Sequence, residues 1–101
     1  MASQETLQVL LEGLLGSRNV YYQPPDGLSM LYPAIRYSKS KIQGDFANNA
    51  MYSKRTRYEL ILIDPDPDNP VIDELLRLPY CSHDRCYPAN GLNHDVFTIY
   101  Y

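Results

Sequence analysis

Two cysteines and two histidines lie close together in the last quarter of the sequence. These residue types can bind metals and take part in catalysis. The four are Cys81, His83, Cys86 and His94. All are residue types that bind zinc, but zinc sites use tight, recurrent ligand spacings that this set does not match. On a regular strand, Cys86 would face away from Cys81 and His83. The alternative to a zinc site is that Cys81 and Cys86 are small buried or half-buried side chains. Because the spacing does not fit zinc, we expect no metal site.

Each histidine is followed by an aspartate, in the pairs His83–Asp84 and His94–Asp95. These residue types carry out general acid–base chemistry. A nucleophilic site also needs a poised serine or cysteine, and Cys81 is near these pairs in sequence only. The sequence contains no glycine-rich phosphate loop and no nucleophile elbow. A small hydrolase or nuclease using His83 and His94 remains an alternative, but we expect surface histidines and no enzyme activity.

Three aspartates alternate with prolines directly after the longest apolar run, and we call residues 64–68 the acidic turn. Its aspartates are Asp64, Asp66 and Asp68. A calcium loop requires flexible backbone, a glycine bend and a distal bidentate glutamate, whereas this segment has two prolines and no glycine. We therefore expect the aspartates to stabilise a turn and the start of the next helix, and not to bind metal.

The basic residues at the middle of the chain form what we call the basic cluster. It consists of Lys39, Lys41, Lys54, Arg55 and Arg57. Tyrosines interleave with it, and aromatic–basic surfaces also bind nucleic acid. A formal net charge of -3 argues against that function, because nucleic-acid binders usually carry a basic face. We expect instead an interface between copies of this chain, in which the basic cluster meets the acidic turn of a neighbour.

The apolar pattern predicts the elements that position these residues. Five leucines between residues 7 and 15 fall on one helical face and predict a core helix over residues 3–15, with Ser3 as its N-cap and Gly16 as its stop. Strands are predicted at 20–22, 32–37, 54–63, 81–88 and 96–101. A second helix is predicted to begin at Asn69, with Pro70 at its first position, and to end at Pro79.

Residues 38–53 have a mixed pattern, with Gly44 and Asn48-Asn49 as possible breakers. They form either a long hairpin arm or a surface loop between the second and third strands. Long connections in compact domains are usually functional or disordered. We therefore expect this segment to contact a partner.

The order of elements predicts a single domain over residues 1–101 with an α+β fold. We expect a mainly antiparallel sheet of four to five strands with the two helices packed on one face. Ten tyrosines favour contact with protein partners. The sequence shows no apolar run of the ~20 residues that span a membrane, and it begins without the basic region of a signal peptide. We expect a chain that stays in the reducing cytoplasm until assembly.

The same order of motifs resembles a known family. After the leucine-rich helix come Tyr-Gln-Pro-Pro at 22–25, Tyr-Pro-Ala-Ile-Arg-Tyr at 32–37 and Leu-Ile-Asp-Pro-Asp-Pro-Asp-Asn-Pro at 62–70. Residues 78–87 then read Leu-Pro-Tyr-Cys-Ser-His-Asp-Arg-Cys-Tyr, and the motif at 90–101 begins Asn-Gly-Leu-Asn-His-Asp. The arrangement resembles the tail-terminator or tail-completion (head–tail joining) proteins of long-tailed bacteriophages. The resemblance spans nearly the whole chain and is most specific at 60–70 and 92–101.

The resemblance implies a structural virion protein that forms a ring, typically a hexamer, on the phage tail tube. The ring stops tube polymerisation and offers a docking surface for the head connector. Its partners would be further copies of itself, the tail tube protein and a head-completion or connector protein, with DNA only passing through the lumen. The implied location is the head-proximal end of the tail, after assembly in the host cytoplasm, with no cofactor and no membrane. A head-completion or stopper protein at the portal is the alternative.

Overall fold

A computed structural model describes residues 4–25, 27–47, 50–66 and 68–101, and the side chains of all of these except residues 41–47 and 50–55. Along the chain, the elements are α1 (Gln4–Leu15), β1 (Val20–Tyr22), β2 (Ala34–Ala47), β3 (Ala50–Asp64), α2 (Val71–Leu76), β4 (Cys81–Ala89) and β5 (Leu92–Tyr100). The expected α+β class is confirmed, since two helices accompany a five-stranded, mostly antiparallel sheet in the described part of the chain.

The apolar strand that precedes the acidic turn lies at the centre of the sheet. The strand order is β1-β2-β3-β5-β4, and β1 pairs with β2 in parallel while the other pairs are antiparallel. Leu60 and Leu62 are buried on one face of β3, and Ile63 is buried on the other, where Arg57 and Glu59 are half-exposed. The strand is central because it pairs with β2 along one edge and with β5 along the other.

One cluster of buried side chains forms the main core. It combines residues from both helices with residues from β1, β2, β3 and β5. Leu7 and Leu11 of α1 are fully buried in it, and the other three leucines of the α1 stripe pack against it, which confirms the predicted core helix. The hydroxyl of Tyr37 joins α1 to β2, because it donates to Gln8 Oε1 at 2.5 Å and accepts from Gln4 Nε2 at 2.6 Å.

The second and third strands are longer than predicted, and their extension is a hairpin arm. The predicted strand at 32–37 is β2, which runs on to Ala47, and β3 begins at Ala50 instead of residue 54. Gly44 does not break β2, because Lys54 pairs with it across the hairpin. Cross-strand pairing satisfies the backbone without a period-two pattern, so the sequence pattern alone underestimated both strands. The predicted break at Asn48-Asn49 lies outside the described residues, as does the predicted cap Ser3.

The outer part of this hairpin leaves the sheet, and we call residues 41–47 and 50–55 the arm. β1 pairs with β2 only at residues 35–37, and β5 pairs with β3 only at residues 57–64. Among the described residues, the two strands of the arm therefore pair with each other alone. The molecule measures 50 × 25 × 23 Å along its principal axes, which fits a body about 25 Å across with an arm of similar length.

The ends of α2 and the start of β5 also differ from the predicted boundaries. Helix α2 begins at Val71, so Pro70 precedes the helix, and it ends at Leu76 before Pro79. Strand β5 begins at Leu92 instead of residue 96, because Asn90 and Gly91 both have positive φ and form a tight turn that restores pairing at once. No helix in the described ranges is long and apolar enough to span a membrane.

Candidate functional site

The acidic turn is held in a fixed conformation by its own carboxylates. Asp64 Oδ1 accepts a hydrogen bond from the N–H of Asp66 at 2.9 Å, and Asp66 Oδ1 accepts one from the N–H of Asp68 at 2.9 Å. These side-chain-to-backbone bonds confirm that the aspartates stabilise a turn. Asp66 and Asp68 are exposed, so the turn presents negative charge to solvent at a defined position.

Asn69 connects the acidic turn to helix α2. Its Nδ2 donates to Asp64 Oδ2, and its Oδ1 accepts from the N–H of Val71 at 2.8 Å. Asn69 is 8% exposed, so its side chain is largely shielded from solvent. The prediction of Asn69 as the N-cap is wrong, because Pro70 occupies that position, but the Asn69 side chain still accepts a bond from the first N–H of the helix.

The basic cluster lies where the arm leaves the body. In the strand register Lys41 pairs with Arg57, Gln43 with Arg55 and Gly44 with Lys54, so its members occupy neighbouring positions. Lys39 is exposed and Arg57 is half-buried. The side chains of Lys41, Lys54 and Arg55 lie outside the described part of the structure.

The basic cluster lies near the middle of β3, and the acidic turn begins at the end of this strand. Arg57 and Asp64 are seven residue steps apart on this strand, which is roughly 23 Å at about 3.3 Å per residue. The two groups therefore do not meet within one chain. A contact between them, as the sequence predicts, requires two copies arranged head to tail.

A cavity that the sequence pattern did not predict lies beside the base of the arm. It has a volume of about 220 Å³ and lies between α1, the segment after α2 and the last residues of the chain. Its lining is Leu10, Leu78, Pro79, Tyr80, Ile99, Tyr100 and Tyr101. We call it the apolar pocket. Leu10 belongs to the predicted α1 stripe and Leu78 follows α2, but no local pattern indicates a gap between them.

A β-bulge changes the expected arrangement of the cysteines and histidines. The register of β4 against β5 shifts between His83 and Arg85, so His83 pairs with Phe97 and Cys86 pairs with Asp95. Because Asp95 and Phe97 share a face of β5, Cys86 lies on the same face as His83 and not on the opposite one as expected. His83 Nε2 lies 3.2 Å from Asp95 Oδ1.

The two histidines lie on opposite faces of the sheet. His83 pairs with Phe97 of β5 and shares its face. His94 precedes Phe97 by three positions on β5, so it lies on the other face, where it pairs with Ile63 of β3. His94 stacks on the ring of Tyr87, with ring centroids 4.9 Å apart. One catalytic centre that uses both histidines, as in the hydrolase alternative, is therefore not assembled within this chain.

The two cysteines have different environments. Burial, with a smaller contribution from Asp84, raises the pKa of the Cys81 thiol to about 11, and such a thiol is a poor nucleophile at neutral pH. Cys86 is exposed, and both cysteines are free. Within the described ranges, no group of three or more His, Cys, Asp or Glu side chains is placed to hold a metal ion.

Comparisons with protein-family models, with curated proteins and with solved structures find no match to this chain. The resemblance to tail-terminator proteins therefore stays a prediction from sequence motifs. The candidate site consists of the arm with its basic cluster, the acidic turn at the other end of the body and the apolar pocket.

Proposed function

We propose that this protein is a structural virion protein that forms a ring at the head-proximal end of a phage tail. In this function it stops polymerisation of the tail tube and provides the surface that joins the tail to the head connector. The motif resemblance over residues 60–70 and 92–101 suggests this setting. The observation that carries the proposal is the arm, because in the described part of the chain its two strands pair only with each other.

The arm needs a partner for physical reasons. A two-stranded hairpin without a third strand or a packed face is marginally stable in water. Among the residues that the structure describes, neither outer edge of the arm pairs with a further strand, and such edges favour association. A partner that covers the arm stabilises it, and a small domain gains proportionally more from burying its side surface.

The charges support a partner that is a copy of the same chain. A closed ring requires a heterologous contact, in which one patch meets a different patch on the next subunit. The basic cluster and the acidic turn are two such patches, and the roughly 23 Å of β3 between them keeps them apart within one chain. In this arrangement the basic cluster of each copy contacts the acidic turn of the next copy.

Immunogold electron microscopy of the phage that encodes this chain tests the position in the virion. We expect gold label at the head-proximal end of tails, on both joined virions and free tails. A phage lacking the protein should produce tubes of irregular, excessive length and unjoined heads. Label on the portal of tailless heads would support the head-completion alternative instead, and absence of label from every particle would overturn the structural role.

A further inference from the structure

We infer that an exposed loop of one copy places an apolar side chain in the apolar pocket of the next copy. The loop consists of residues 27–33, between β1 and β2, and we call it the apolar loop. The inference rests on the proposed function, because it specifies which sides of neighbouring subunits meet in the ring. Both halves of the contact lie within the described residues, and the contact is separate from the pairing of the basic cluster with the acidic turn.

The apolar pocket has the character of a receptor for an apolar group. Leu10, Leu78 and Ile99 supply aliphatic surface, and Pro79 and tyrosines complete the lining. A cavity of roughly 150 Å³ holds a benzene molecule in another protein, so a volume of about 220 Å³ is sufficient for one leucine side chain. Leu10 and Leu78 are only partly buried by their own chain. An apolar concavity of this kind typically marks a binding site.

The apolar loop presents large apolar side chains to solvent. Leu31 is 72% exposed, and Leu28 and Tyr32 on the same loop are also exposed. Leaving such a group of side chains in water is unfavourable, and exposed apolar groups of this kind often mark protein contacts. A pocket on another molecule removes part of this surface from water.

Hydrogen bonds hold the apolar loop against the body. The N–H of Leu31 donates to the Tyr21 hydroxyl at 3.4 Å, and Asn19 Nδ2 donates to Pro33 O at 3.4 Å. Both bonds therefore tie the loop to β1 or to the residue just before it. A segment whose backbone is already fixed loses less conformational entropy when it binds, so the loop is pre-organised for a contact.

The apolar loop and the apolar pocket lie towards opposite edges of the sheet. The loop is tied to β1, which is the strand at one edge. The pocket is lined by residues of β5 and by Tyr80, which directly precedes β4 at the other edge. β1 and β5 are three strand spacings apart, which is roughly 14 Å at about 4.8 Å per spacing. The loop therefore meets the pocket of another copy and not that of its own chain.

The charges of the two sides favour the same pairing. Residues 18–39, which include the apolar loop, contain three basic side chains and one acidic one. Residues 73–95, which include β4 and the segment before it, contain four acidic side chains and two basic ones. Net charges of opposite sign favour contact between unlike sides over contact between like sides. A repeated contact between unlike sides is heterologous, and it closes into a ring when its rotation permits.

The loop contact is one part of a larger interface. A stable protein–protein interface buries about 1,200–2,000 Å² in total, which is more than the few side chains of one loop provide. The apolar loop therefore fixes the relative position of neighbouring subunits within an interface that also includes the arm.

Photo-crosslinking tests the contact directly. Leu31 is replaced by p-benzoylphenylalanine in the full chain, and equal amounts of ¹⁴N- and ¹⁵N-labelled protein are unfolded, mixed, refolded together and irradiated. We expect mixed-isotope crosslinks that join position 31 to peptides containing residues 10, 78–80 or 99–101. Crosslinks within one chain, crosslinks to any other surface or an absence of crosslinks would overturn the inference.

A charged substitution gives an independent readout, measured by analytical ultracentrifugation over a dilution series. L31D should retain the circular dichroism of the native protein, because Leu31 is exposed in the single chain. We expect its subunits to associate at least about tenfold more weakly, because a carboxylate would enter an apolar pocket without a partner. V9D is the matched control, since Val9 is 68% exposed on α1 and does not line the pocket.

The outcomes separate the loop contact from the ring itself. Weaker association of L31D alone would support the contact. Equal association of L31D and V9D would overturn the loop contact and leave the ring intact, whereas a native protein that is monomeric at every concentration would overturn both.

Discussion

The half-buried thiol of Cys81 and the tyrosines of the core lower the stability of this protein at alkaline pH. Burial raises the pKa of the Cys81 thiol from 9.0 to about 11, and burial also raises the pKa values of the Tyr37 and Tyr58 hydroxyls above 10.0. A raised pKa means that the folded state favours the neutral form. As pH rises past the unfolded value, the unfolded chain ionises first and folding stability falls.

We predict that the contribution of Cys81 to stability is constant below about pH 9 and is lost between pH 9 and 11. Urea unfolding at a series of pH values measures this as a decreasing free energy of unfolding. The C81A variant should show a shallower decrease between pH 9 and 10, while C86A, which alters the exposed cysteine, should follow the native curve. Identical slopes for C81A and the native protein would contradict the assignment.

At the scale of elements, the acidic turn and helix α2 depend on one buried amide. The Asn69 side chain bonds both to the Asp64 carboxylate and to the first free N–H of the helix, at Val71. The turn before it is held by two further side-chain bonds. The helix start and the charged turn are therefore one structural unit.

We predict that N69A lowers the free energy of unfolding by about 1–2 kcal/mol, because it removes the acceptor of the Val71 N–H and leaves the Asp64 carboxylate without this donor. Urea unfolding checks the value. N93A is a matched control, because Asn93 Nδ2 makes one exposed bond, to the carbonyl of Pro65 at 3.1 Å, and it should cost less. An equal cost for the two variants would show that Asn69 has no special role.

The sequence predicts those elements whose pattern is local. The α1 leucine stripe was predicted correctly, because it depends on residues a few positions apart. The parallel pairing of β1 with β2 and the length of the arm depend on partners far along the chain. The bulge beside Asp84 likewise needs β5 opposite it, which is why the faces of the cysteines were predicted wrongly.

At the scale of the whole molecule, the candidate site is spread along its length. The sequence shows the basic cluster and the acidic turn. The distance between them depends on β3 and is known only from the folded chain. The apolar pocket was not predictable, because it is a gap between three packed parts of the chain. The sequence pattern of any one of these parts does not indicate it. The distances on which the proposed assembly depends therefore appear only in the folded chain.

We predict that R57E weakens association of the subunits by at least about tenfold, because it places like charges against the neighbouring acidic turn. The effect should shrink at high salt, which screens exposed charges. R77E is the control, since Arg77 is exposed on the segment after α2 and belongs to neither patch. Restoration of the oligomer by D68K in the R57E background would support the pairing, and equal behaviour of R57E and R77E would contradict it.

The central claim is that the arm is the element through which copies of this protein assemble. Its most direct test is native mass spectrometry of the full chain beside a variant in which residues 42–55 are replaced by Asn-Gly. We expect the full chain to form one closed oligomer of defined copy number, six if the resemblance holds. The shortened variant should be a folded monomer, because the arm lies outside the five-stranded body. The same oligomer from both proteins, or a monomer from the full chain at every concentration, would contradict the claim.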